Sequence, residues 1–173
     1  MQTFRNIKRL DSLKLTEAPD CYGVIAPIYT GDQNIRMKIL ELPETIKEIV
    51  DTCALIKKNG LKLIVEHMFD IPTESEMSND ISQNLYAIIK PDIIECRHFV
   101  YTKGSPAVKH ALRLGLLTPA QVKSIEAGIP YQPKSNFYQE YAKSYTALPV
   151  GGLIAELLPM KLIEFIAKRK AGL

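Results

Sequence analysis

At 173 residues the chain is long enough to bury a sizeable core as one domain. Its 46% hydrophobic and 24% charged residues exclude a disordered polymer, and a formal net charge of +3 permits an anionic partner without requiring one. Three widely spaced cysteines, Cys21, Cys53 and Cys96, with no Cys-x-x-Cys pair, argue against a disulfide framework and for a reducing, cytoplasmic setting.

In Met1–Asp20, Phe4, Ile7, Leu10 and Leu13 would line a basic helix, suited to an arm packed on the domain or on a second subunit. That stretch has no apolar run of signal-peptide kind, and none in the chain reaches the ~20 residues of a spanning helix. Cys21–Tyr29 (CYGVIAPIY) is a short apolar run whose proline makes it an edge strand, or one that breaks at Ala26. Thr30-Gly31-Asp32 then turns the chain.

Asn34–Leu42 alternates Ile35, Met37 and Ile39 with Arg36 and Lys38, the period of a half-buried strand. Pro43 suits a first helical position, and Glu44 a first turn. Ile46, Ile49, Val50, Cys53 and Ile56 then recur at helical spacing until Asn59-Gly60 stops them. Leu61–Phe69 is a strand with apolar residues on both faces. Thr73 and Glu76 have capping-box spacing for a helix striped by Met77, Ile81, Leu85 and Ile88 and closed by Pro91. Ile93–Tyr101 is a further strand.

Two cap-plus-proline pairs, Ser105-Pro106 and Thr118-Pro119, open short helices, and Pro130 and Pro133 mark a boundary. Beyond it Phe137, Tyr138, Tyr141, Tyr145 and Leu148 share a helical face, and the last segment ends in Lys168-Arg169-Lys170. The expected fold is α/β: a small mixed or mainly parallel sheet of three to four strands, flanking helices and a helical C-terminal third. Residues 1–130 form the α/β domain, and 131–173 a helical extension packed on it or on a partner subunit. A ferredoxin-like antiparallel arrangement would use the same elements with Cys21–Ile28 paired differently.

No motif names a reaction. In open α/β sheets ligands gather beyond the carboxyl ends of strands, and there the sequence offers Glu66-His67 and Glu95-Cys96-Arg97-His98. His67 and His98 are the acid–base candidates, with Glu66 or Asp70 as the orienting carboxylate. Arg97, Lys103 and Ser105 are the candidate anion contacts, Lys103 and Ser105 because they precede a helix start. Thr30–Asn34 is a similar turn, but it leads into an expected strand and gains no helix dipole. A zinc site from His67, His98 and Cys96 lacks a second close ligand pair, and nothing marks Cys96 as a nucleophile. The leading expectation is a domain that binds a small anionic metabolite or nucleotide and could act on it, with no cofactor specified. The alternative is a non-enzymatic interaction protein. It would be nucleic-acid-associated through the helix pair at Ala107–Ala127 or the tyrosine helix, or a self-assembling homo-oligomer.

Overall fold

Three apolar runs pair into one sheet because each is followed by a stretch of helical periodicity too long for a hairpin. The computed structural model describes residues 22–134 together with Tyr138, Tyr141, Ala142 and Tyr145. The expectations for Met1–Asp20, for Phe137 and for everything beyond Tyr145 lie outside the described residues.

Gly23–Tyr29 (β1), Lys62–Phe69 (β2) and Ile93–His98 (β3) form a parallel sheet in the order β1-β2-β3. Five helices accompany it among the described residues: Gln33–Lys38 (α1), Ile46–Lys58 (α2), Glu76–Ile89 (α3), Pro106–Arg113 (α4) and Pro119–Glu126 (α5). None is long and apolar enough to cross a membrane. Pro27 sits in β1, which pairs on one side only with a described strand, and the register slips between Pro27 and Tyr29. A proline is tolerated at such an edge because no partner strand needs its missing N–H.

Asn34–Leu42 is not a strand. Asp32 accepts from the backbone N–H groups of Asn34 and Ile35 and so caps α1. Ile35 and Ile39, four apart, are buried, while Met37 is 56% exposed, the reverse of what alternation requires. The α2 helix begins three residues later than Pro43 suggests, because Thr45 and Glu48 form a reciprocal capping box. Ser75, not Thr73, caps α3.

One face of the sheet carries Ala26, Ile28, Leu63, Val65 and Phe69 into the main core. Ile49, Cys53 and Ile56 from α2 and Leu85, Tyr86 and Ile89 from α3 close over them. Both crossovers lie on this face, as right-handed connections between consecutive strands demand. Tyr138, Tyr141 and Ala142 pack against the same core, and Tyr145 is buried in it. A second core sits beyond the carboxyl ends of the strands, where Ile35 and Ile39 of α1 meet Ile71, Phe99, Tyr101 and the inner faces of α4 and α5. Tyr101 and Tyr131 exchange backbone hydrogen bonds of 2.8 and 3.0 Å, which fastens Tyr131 to this cap.

The turn after β1 is pinned to α3. Gly31 N–H donates to Ser82 Oγ at 2.8 Å, and Ser82 Oγ donates to the Ser78 carbonyl, so Thr30 is the donor in its 3.3 Å contact with Ser82. A Cβ at position 31 would stand 2.8 Å from Ser82 Cα and 3.0 Å from the Ile81 carbonyl oxygen. Gly31→Ala must therefore push the turn off the helix backbone. We expect a loss of about 1–3 kcal/mol, read as a lowered midpoint in urea.

Candidate functional site at the carboxyl edge of the sheet

Strand alternation decides which candidates can meet. His67 points to the covered face with Val65 and Phe69 and is 0% exposed. Its Nδ1 lies 2.8 Å from the Tyr86 hydroxyl, its ring stacks on Tyr145 at 4.3 Å, and Phe69 meets it edge-on at 4.4 Å. Nε2 has no hydrogen-bond partner. Burial holds its pKa down at about 3, so the ring is neutral. His67 is thus a core histidine sealed from solvent, and no ligand reaches it in this arrangement.

Glu66 does not orient it. Adjacent residues of a strand face opposite ways, and Glu66 lies on the other face, 3.2 Å from Arg97. Arg97 also pairs with Glu95 at 3.0 Å, so this guanidinium serves the open sheet face, away from the imidazoles.

His98 is different. It lies opposite Phe69 in the register, one row beyond the His67–Cys96 row. Its Nδ1 stands 2.9 Å from Asp70 Oδ2, and its ring stacks on Tyr138 at 3.9 Å. The Asp70 carboxylate is almost wholly buried, whereas the His98 side chain is 29% exposed. With Nδ1 carrying the proton toward Asp70, Nε2 is left as an acceptor; this is the geometry of an oriented general base.

Asp70 adopts φ +71°, Thr73 φ +71° and Tyr29 φ +65°. A β-branched or bulky residue in the left-handed region costs energy, and three of the five described non-glycine cases fall at the end of β1 or soon after β2. Glu74 holds this strained turn: its Oε2 accepts from the Asp70 N–H, while Oε1 is buried without a partner. Burial pushes the Glu74 pKa up to about 8.

Two clefts open along this edge and adjoin at Thr73. The smaller, about 490 Å³, has Asp70, Glu74, Tyr101, Tyr131 and Lys134 among its walls. The larger, about 850 Å³, has Asp32, Lys38, Ser75, Ser78, His110 and Arg113 among its walls. Asp32 is fixed there by Ser78 Oγ, which donates to it at 3.0 Å. The turn Thr30–Asn34 therefore does lead into a helix, but the Asp32 carboxylate already occupies that helix end. Arg113 donates to His110 Nδ1 at 2.7 Å, and His110 Nε2 lies 4.0 Å from Glu41.

Lys103 is exposed, and Ser105 precedes α4 without a side-chain capping bond; neither lines either of these two clefts. Cys53 and Cys96 are unbridged, and burial raises their pKa values to about 12 and about 11, the reverse of thiolate activation. Among the described residues no three His, Cys, Asp or Glu side chains converge as a metal site. The α4–α5 pair buries Ala107, Val108, Ala111 and Ile125 in the second core and leaves Leu112, Leu114 and Leu116 exposed.

Lys38, Arg113, His110, Ser78 and Glu74 escaped the sequence reading. Only Lys38 carried a signal: in a helix after β1 it would stand beside the strand ends. No protein-family model matches the chain, and no characterised protein is significantly similar to it.

Proposed function

We propose that the chain binds a small anionic metabolite or nucleotide in the larger cleft at the carboxyl edge of its sheet. The observation that carries this reading is that Lys38 and Arg113 both line that cleft and neither is ion-paired with a carboxylate among the described residues. Ser75 and Ser78, at the start of α3, line the same cleft, and the positive end of that helix dipole favours negative charge there. A volume of about 850 Å³ suits a metabolite or nucleotide. His98, oriented by Asp70, is the group we assign to proton transfer should the bound molecule be turned over. Unbridged Cys53 and Cys96 support a reducing compartment.

Calorimetric titration with inorganic phosphate, nucleoside mono-, di- and triphosphates and small dicarboxylates tests the reading. At least one class should bind, and Lys38→Ala and Arg113→Ala should each weaken it about tenfold, or ~1.4 kcal/mol. Absence of binding across the panel, or an unchanged affinity in the double variant, would overturn it.

A further inference from the structure

Among the described residues no helix covers the face of the sheet turned away from α2 and α3. Its side chains run in register across the three strands. Ile25, Ile64 and Ile93 make one row, and Pro27, Glu66 and Glu95 the next. Ile25 is 55% and Ile93 49% exposed. Parallel sheets are almost always covered on both faces, because a hydrocarbon row in water forfeits its burial energy.

Size and charge select the occupant. Three strands about 4.8 Å apart and roughly 23 Å long give a footprint near 15 by 23 Å. That is less than half of the ~800 Å² per partner that a standard protein interface buries. It does match one helix, about 10 Å across and 1.5 Å per residue over some 14 residues. A covalently attached segment also avoids the translational and rotational cost of association. Arg97 pairs with both Glu66 and Glu95, and Lys62 on the same face pairs with Asp92, so one negative charge is left over on the Glu66–Glu95 row.

We propose that this open face is the docking site for the chain's own Phe4–Lys14 stretch, which lays Phe4, Ile7, Leu10 and Leu13 on the isoleucine row. The stretch carries Arg5, Lys8, Arg9 and Lys14 against one acid, Asp11, and so complements the Glu66–Glu95 row. Its point of arrival fits as well. The chain enters β1 beside Tyr22, whose carbonyl accepts from Lys62 N–H at 3.1 Å, and the isoleucine row lies just inside that end. This inference concerns the opposite side of the sheet from α2 and α3 and is independent of the anion reading.

The test uses the full chain with Ile93→p-benzoylphenylalanine, a probe at a half-exposed site. It is irradiated as a mixture of isotopically light and heavy protein and mapped by mass spectrometry. Cross-links into peptides from residues 4–14, light to light and heavy to heavy only, are expected. Mixed light–heavy links would mean a second copy covers the face and would overturn the proposal. Links into residues 146–173, or none, would overturn it equally. As a second measurement, the full-chain variant Ile7→Asp with Leu10→Asp should bind several-fold more of a hydrophobic dye, with far-ultraviolet dichroism retained. Unchanged dye binding would also count against it.

Discussion

Glu44→Ala is expected to cost the fold about 3–5 kcal/mol, the largest single loss among the charged residues. Arg36 is 0% exposed. Its guanidinium donates to the Ile28 carbonyl and lies 3.5 Å from Glu44 Oε2, while Nε has no partner. Burial lowers the Arg36 pKa and Glu44 raises it again, yet an arginine starts too high to become neutral. Removing the carboxylate leaves a charge inside the protein with one carbonyl for company. Urea denaturation followed by circular dichroism measures the loss. Arg36→Met combined with Glu44→Leu, which removes both charges, should recover most of it. A cost below about 1 kcal/mol for Glu44→Ala, typical of surface pairs, would show that water reaches this pair.

Stability should change little with pH between 4.5 and 6.5 and fall on both sides, because two buried groups pull in opposite directions. His67 is held at about 3 against an ordinary 6.5, so between those values the unfolded chain binds a proton that the fold refuses. Its contribution therefore rises with pH across that window and is lost as pH drops. Glu74 is raised to about 8 from an ordinary 4.5, so the fold keeps a proton that the unfolded chain releases. Its contribution falls as pH rises from 4.5 to 8. Where the windows overlap, the slopes cancel. Outside the overlap, from 3 to 4.5 and from 6.5 to 8, each leaves a slope of 1.5 units, about 2 kcal/mol. His67→Phe should turn the flat region into a decline with rising pH, and Glu74→Gln should turn it into an increase. Denaturant titrations at constant ionic strength give the curves, and identical profiles for the wild type and both variants would contradict this account.

Most of the architecture was legible because local signals agreed. The strands at Gly23–Tyr29, Lys62–Phe69 and Ile93–His98 follow from apolar runs bounded by turn residues, and the helices from caps and three- and four-residue spacing. The Asn34–Leu42 misreading has a simple cause. Ile35 and Ile39 fit a period of two and a spacing of four equally well, and Asp32 as a cap was the deciding clue. The site was less legible. His98 and Asp70 could be named because they end strands, but their 2.9 Å contact depends on a left-handed turn that no pattern announces. Pairing Glu66 with His67 failed because sequence neighbours in a strand look away from each other. Lys38 and Arg113 reach one cleft only through the second core, in which Ile35 and Ile39 share a cluster with residues of α4.

The strands stand in space in the order in which they are made. No later segment has to be threaded between two that have already paired. The sheet can therefore grow outward from its first strand as the polypeptide leaves the ribosome, each addition closing one crossover. Once the chain has emerged as far as Ile89, β1, β2 and both helices that cover them are free to assemble. Protease resistance acquired stepwise during synthesis is the natural outcome of such an order.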